Sequence, residues 1–392
     1  MDFTPIIPLE RNKEIPQDLL ERAEKLIHSS IALTGGHPIE TLNAVREYLR
    51  TINSYYSNKI ESEGTRPRDT EKAMKKDFSS DKKKRTLQML SLAHIETQKK
   101  VENLVKDEKF NPYKTEFICS IHNYLYSQDE MEVFLKIEGL EENMIPGALR
   151  IHDVDVGNHV APEVKVLPSL MNKFELLYRE GLLGSKVNQL IYALASHHRL
   201  VYLHPFLDGN GRTSRLALDG ALLAIGINGY GLWNISRGLA RSGDKYKDIL
   251  AHADMHRQGD YDGRGALSTR ALNDFVSYML TCAQDQVDYM TKYLKLSSLT
   301  QRFTKYVELT QNGMFDLDPL PKDTDKLFKE LLLRGEFKKR TEVDEILGVS
   351  RRTATKITKE LLNRDYIQSD GPKSPIRLKI NSHLAEYIFP EL

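Results

Sequence analysis

The run His204-Pro205-Phe206-Leu207-Asp208-Gly209-Asn210-Gly211-Arg212-Thr213-Ser214-Arg215 brings several chemically capable side chains into one short stretch. His204 titrates near neutrality and can take a proton from an attacking hydroxyl. Asp208 is a hard oxygen ligand suited to Mg²⁺, which commonly takes one or two carboxylates together with phosphate oxygens. Gly209 and Gly211 let the backbone approach a ligand closely, and Asn210 tolerates unusual dihedrals while adding a side-chain donor. A glycine-rich loop leading into a helix points N–H groups outward, and the helix dipole favours an anion there. Arg212 and Arg215 are three apart, so they share a helix face from which they can clamp phosphates. Pro205 and Phe206 fix the loop, Phe206 by burying its ring. Alone, each residue reads as a turn or a structural side chain. Together they suit nucleotide phosphate chemistry.

The segment resembles the signature of the Fic family, His-Pro-Phe-x-[Asp/Glu]-Gly-Asn-Gly-Arg-x-x-Arg, and matches it at every defined position. The likeness extends over most of residues 1–290. It implies an all-α core that transfers AMP from ATP to a Ser, Thr or Tyr hydroxyl of a target protein. On that likeness His204 is the base and Asp208 holds Mg²⁺ against the α- and β-phosphates. Gly209, Asn210 and Gly211 form the anion hole. Arg212 meets the phosphates and Arg215 the γ-phosphate. In-line transfer of this kind depends on positioning and charge neutralisation more than on covalent help.

Ser57-Asn58-Lys59-Ile60-Glu61-Ser62 resembles the family's inhibitory helix, [Ser/Thr]-x-x-x-Glu-[Gly/Asn], in its N-terminal placement. Glu61 would then pair with Arg215 and keep it from the γ-phosphate. Ser62 departs from the pattern, standing where glycine or asparagine is usual. Glu63-Gly64 offers a second register, with Lys59 where Ser or Thr belongs. Some relatives with such a glutamate also remove AMP, so Glu61 is equally a candidate for activating water.

The resemblance further suggests Tyr246 beside the adenine, with an ordinary core tyrosine as the other reading. It assigns Val154, Val156 and Gly157 to a target-binding flap, where they would pair with a target peptide by strand addition. A plain structural hairpin is the alternative.

The elements that must hold this loop are helical. Leu19, Leu20, Ala23, Leu26 and Ile27 recur at three- and four-residue steps, as do Leu42, Val45, Leu49, Ile52 and Tyr56 beyond the Thr34–Pro38 break. Val187, Leu190, Ile191, Leu194, Ala195 and His198 form an apolar stripe just before the motif, and helices are expected over 215–225, 245–257 and 269–294. The basic stretch 63–85 reads as solvated loop and helix entrance. Short alternation over 146–157 and 159–166, around a Gly157-Asn158 turn, predicts a hairpin. After a linker near 310–321, helix, tight turn, helix and hairpin follow, with Ser350 as an N-cap. That is the order of a winged helix-turn-helix.

The expected fold is mainly α: a Fic-type helical core with a small β-hairpin flap, plus a C-terminal winged helix-turn-helix. Residues 1–110 form an N-terminal helical region with the inhibitory helix around 53–62. Residues 111–295 form the core and 300–392 the winged-helix domain.

With 40% hydrophobic and 28% charged residues and a net charge of +1, the composition is that of a soluble globular protein, not of a generally polyanion-binding one. Cys119 and Cys282 make neither a disulfide framework nor a zinc site. No signal-like N-terminus or membrane-length apolar run is evident, so a cytoplasmic location without membrane partners is expected. Arg351, Arg352, Lys356 and Lys359, with Lys373, Arg377 and Lys379, make DNA a candidate partner. The rival function is therefore a DNA-binding regulator with a nucleotide-sensing core. A second copy of the chain and self-modification, on a chain with 18 tyrosines, are further candidate interactions.

Overall fold

The structure is a computed structural model that describes residues 4–9, 15–128, 130–157, 159–338 and 341–392. Met1–Phe3 and Asn158, used in the N-terminal and turn expectations, lie outside them. The chain divides into two compact units: 1–30, 53–230 and 234–286 in the first, 31–52, 231–233 and 287–392 in the second.

Helices α1 (Gln17–Ala32), α2 (Ile39–Ile60), α3 (Pro67–Met74), α4 (Lys82–Leu104), α5 (Thr115–Tyr126) and α6 (Glu132–Leu135) come first. A minimal antiparallel hairpin follows, β1 (Asp155–Val156) with β2 (His159–Val160). Then come α7 (Leu167–Arg179), α8 (Lys186–Leu203), α9 (Asn210–Ile225), α10 (Ile235–Arg241), α11 (Lys245–Ala253) and α12 (Thr269–Leu294). Helices α2 and α12 each contribute residues to both units.

The first unit is organised by α8 and α9, which pack on each other across the loop 204–209. Leu190, Ile191, Leu194, Leu200 and Leu203 of α8 are buried, as are Leu216, Leu218 and Leu222 of α9. Both helices are buried over most of their circumference, polar as well as apolar residues included, as suits elements enclosed by others. Ser185 caps α8 by accepting from the Asn188 N–H, and Gly226, at φ 66°, ends α9 in the left-handed region that glycine adopts without steric cost.

Three expectations change in detail. The basic stretch 63–85 holds a helix of its own, α3, with Pro67 in its first turn, and α4 starts at Lys82 because Asp81 accepts from the Lys84 N–H at 2.8 Å. Helix α9 starts at Asn210, five residues before Arg215. The strands of the hairpin are only two residues each. Instead of a longer ladder, buried Arg150 takes the carbonyls of His152 at 2.9 Å and of Pro162.

The second unit contains α13 (Leu296–Gln311), α14 (Thr324–Arg334), β3 (Glu336–Phe337), α15 (Thr341–Leu347), α16 (Arg351–Asn363), β4 (Ile367–Gln368), β5 (Ile376–Leu378) and α17 (Ser382–Ile388). The strands form an antiparallel sheet in the order β3-β5-β4, pairing Phe337 with Ile376 and Ile367 with Leu378. Ser350 caps α16 through the Thr353 N–H. Phe328, Leu331, Phe337, Leu361 and Ile376 fill the core, while the Tyr306 hydroxyl meets His383 Nδ1 at 2.7 Å and the Tyr366 hydroxyl at 2.8 Å.

Leu194 is fully enclosed at the α8 core. Leu194→Ala should therefore lower unfolding stability by about 2–5 kcal/mol in denaturant melts. A loss under about 1 kcal/mol would contradict this packing.

Candidate active site

The loop 204–209 is shaped from inside. Asn210 accepts from the Phe206 N–H at 2.9 Å and donates its amide to the Phe206 carbonyl at 2.8 Å. One of the two hydrogens of its amide is thus committed to the loop. The first N–H groups of α9 have no intrahelical acceptor and form the anion-facing end. Gly209 is at φ 75°, and a Cβ there would overlap the Tyr126 hydroxyl. His122 of α5 stacks on Phe206, with ring centroids 4.0 Å apart. Its Nδ1 accepts from the Gly147 N–H at 2.8 Å, so the proton is on Nε2, 3.2 Å from the Asp208 carbonyl. Sequence reasoning did not single out His122, because its role depends on a contact across 86 residues.

His204 ends α8 in the left-handed region, at φ 47° and ψ 62°. Such a conformation is costly for a residue with a Cβ and is commonly found where function fixes the backbone. Burial, followed by the charges of His159 and Arg150, pushes the imidazole down to about 4. A hydrogen bond to the Val201 carbonyl and the Glu61 carboxylate act in the opposite sense. The ring is therefore neutral at physiological pH, with one nitrogen lone pair free. The His204 carbonyl accepts from Arg150 Nε at 2.8 Å, and the Arg150 N–H reaches the Pro205 carbonyl at 2.8 Å. Arg150 thus ties the flap base to the loop, another contribution invisible in local sequence.

Both arginines of α9 are buried and meet carboxylates. Arg215 donates from Nε to Ser57 Oγ at 3.0 Å, and from Nη2 to the Ser57 carbonyl at 2.9 Å and Glu61 Oε1 at 2.6 Å. Burial raises the Glu61 carboxyl, but Arg215, helped by Arg212 and Lys247, outweighs it and holds the group below its ordinary value. Arg212 pairs with Glu63 and lies 3.8 Å from Asp208 Oδ2. Both glutamates weighed in the sequence are engaged, Glu61 with Arg215 and Glu63 with Arg212. A Cβ on Gly211 would overlap Glu61 Oε1, so this arrangement requires glycine there.

Ser62 departs from the family pattern at a backbone position that favours glycine or asparagine. It sits at φ 63°, where α2 turns out of its helix between Glu61 and Glu63. Glycine and asparagine adopt that region most readily.

Asp208 is half-exposed. Among the described residues no cluster of three or more His, Cys, Asp or Glu could hold a metal. Tyr246 is buried, and its hydroxyl lies 2.6 Å from His197 Nε2, behind the arginines. On the flap, Val154 is half-buried and its carbonyl accepts from the Ala161 N–H at 3.4 Å. Val156 belongs to β1, and exposed Gly157 turns at φ 61°. Ile151 and Val160 are 63% and 71% exposed there. No described helix is long and apolar enough to cross a membrane.

Residues 112–222 match the family model of the Fic/DOC family. A protein adenylyltransferase Fic of Aedes aegypti is 28% identical over 169 residues, covering 43% of this chain and 29% of the relative. One of Drosophila ananassae is 36% identical over 99 residues, covering 25% and 20%. The chain thus spans less than a third of these curated relatives. A Fic domain containing signaling protein from Bacteroides thetaiotaomicron superposes with TM-score 0.54 at 18% identity, covering 70% of this chain and 98% of its own. A Fic family protein from Desulfovibrio desulfuricans superposes with TM-score 0.52 at 16% identity, covering 93% and 97%.

Ser62→Gly should raise stability by about 0.5–1 kcal/mol, the relief of a left-handed serine less the added freedom of the unfolded chain. A destabilised variant in thermal and denaturant melts would overturn the assignment of strain to this turn.

Proposed function

We propose that this chain, whose residues 112–222 match the Fic/DOC family model, transfers AMP from ATP to a hydroxyl of a target protein and is held inactive by its own α2 terminus. The observation that carries this reading is the neutral His204 beside an anion-facing helix end whose two arginines are occupied by internal carboxylates.

In this mechanism the His204 lone pair takes the proton of a target Ser, Thr or Tyr as its oxygen attacks the α-phosphorus. Pyrophosphate leaves on the opposite side, and the proton remains on His204 until solvent removes it. The N–H groups at the start of α9, from Gly209 to Gly211, hold the α- and β-phosphates. Arg212 and Arg215 neutralise the outgoing charge. Asp208 is a lone, accessible carboxylate beside Arg212, which fits Mg²⁺ arriving on the nucleotide with water and phosphate ligands. When bound, Mg²⁺ would neutralise phosphate charge. The short hairpin has open outer edges and exposed Ile151 and Val160, which suit an extended target segment laid alongside β1.

Glu61 and Glu63 occupy the arginines on which the terminal phosphates would bear. ATP would then bind without its γ-phosphate anchor and with the α-phosphorus out of line. Release of α2 is required for transfer. The same Glu61 carboxylate, if it activated water, would let the site hydrolyse the bond to AMP, releasing AMP and the free hydroxyl as an opposing activity.

A second reading concerns the C-terminal unit. The element order around α15, α16 and the β4–β5 hairpin supports a winged helix. Arg351, Arg352, Lys356 and Lys359 are exposed on α16, while Arg377 pairs with Glu336 at 2.9 Å and Lys379 with Asp365 at 2.7 Å. Any DNA contact would therefore run chiefly through α16, with exposed Lys373 as the remaining cation of the wing. Duplex binding should weaken with salt and disappear when those four cations become alanine, yet survive His204→Ala. Unchanged binding in the alanine variant would remove this reading.

ATP labelled on the α-phosphate, incubated with Mg²⁺ and lysate, tests the main proposal. Glu61→Gly should label protein more than about tenfold above the parent, the consequence of removing an ion pair worth about 1.4 kcal/mol or more. Adding His204→Ala should abolish the label, and adding Glu63→Gln to Glu61→Gly should tighten ATP binding further. No gain from a folded Glu61→Gly protein would sink the brake. No label from any folded variant would sink transfer in favour of AMP removal or a sensing role.

A further inference from the structure

A histidine outside the motif sits where only its charged form fits. His159 of β2 places Nδ1 2.8 Å from Asp254 Oδ2 and Nε2 3.0 Å from the Tyr202 carbonyl. A carboxylate and a backbone carbonyl only accept, and a neutral imidazole donates once. Both contacts are satisfied together only by the imidazolium.

The surroundings supply the matching negative potential. Tyr202 belongs to the last turn of α8, whose final carbonyls lack intrahelical donors. Asp254 ends α11, at the negative end of that helix dipole. Two helix C-termini and a carboxylate thus converge on one ring.

The neighbouring histidine does not compete for the charge. His198 Nδ1 accepts from Arg199 Nη1 at 3.1 Å, so its proton is on Nε2, which faces Asp254 Oδ1 at 3.0 Å and the Leu250 carbonyl at 3.1 Å. His198 is the neutral tautomer, and its burial favours that form. Groups bearing on His159 are Asp254 and His198 with Arg199 behind, the Tyr202 ring, Asp155 across the hairpin, and His204. The His159 and His204 ring centroids are 6.3 Å apart.

We propose that His159 is a positioning residue: as an imidazolium clasped by Asp254 and the Tyr202 carbonyl, it pins the flap strand to the end of the His204 helix and opposes protonation of His204. This rests on His204 being the base of the proposed transfer. The clasp has a defined pH sense. Burial lowers the His159 value, but Asp254 and the Tyr202 carbonyl more than reverse it, so it lies above its ordinary value. The stabilisation is complete below the unfolded value of about 6.5 and is lost as pH rises through the higher folded value. Flap anchorage therefore weakens on the alkaline side.

The test reads His204 directly. The full-length chain, labelled at histidine and assigned with His204→Gln, is titrated by NMR from about pH 2.5 to about pH 8. His159→Gln and His159→Asn should each raise the His204 midpoint by roughly 0.5 to 2 pH units, the effect of losing one positive charge some 6 Å away. His159→Lys, which keeps a cation, should restore it. Two neutralising variants guard against a folding failure in either. An unchanged midpoint in a folded neutralising variant overturns the proposal. AMP transfer in the Glu61→Gly background is measured alongside. A shifted midpoint without transfer in any variant keeps the clasp and removes only the transfer reading.

Discussion

Burying Arg212 and Arg215 is the constraint around which the first unit is built. A guanidinium cannot be discharged inside a protein, and leaving it unpaired there costs far more than a surface charge does. Something anionic must stand against each. In this structure Glu61 and Glu63 do so, delivered by the end of α2, with Ser57 giving Arg215 both its hydroxyl and its carbonyl. In the proposed transfer, nucleotide phosphates would offer the same charge in the same place. The protein's resting stability and that chemistry would then draw on one pair of cations, and occupation by one anion would exclude the other.

The rest of the site supports that exchange by staying fixed. His122 and Asn210 lock the loop, Arg150 fastens the flap base to it, and His197 with Tyr246 fills the space behind α9. None of these contacts involves Glu61 or Glu63, whereas Ser62, between those two glutamates, carries a left-handed backbone.

What was legible in the sequence follows from how far each interaction reaches along the chain. The His204–Arg215 segment was readable because base, carboxylate, anion loop and arginines are local to one loop and one helix turn. The Ser57 and Glu61 pairing with Arg215 was readable only through a family likeness, since nothing within residues 53–62 announces a partner more than 150 positions away. Glu63 appeared as a rival register because a sequence pattern assumes one glutamate per motif, whereas the turn at Ser62 presents two. His122, Arg150 and the His159–Asp254 pair were silent: each is an ordinary polar residue until the fold supplies its partner. The hairpin was drawn too long because alternation predicts side-chain faces, not whether an arginine takes the carbonyls first.

The Asn210 amide has a consequence for how the protein ages. Asn-Gly is the dipeptide most open to deamidation, in which the glycine backbone nitrogen attacks the asparagine side-chain carbonyl. Here that carbonyl is turned back to the Phe206 N–H, the amide nitrogen is held by the Phe206 carbonyl, and the residue is buried at the first position of α9. The attack geometry is denied. Conversion to aspartate would put a negative charge into the anion loop itself, so the staple that shapes the loop also preserves its charge over the lifetime of the molecule.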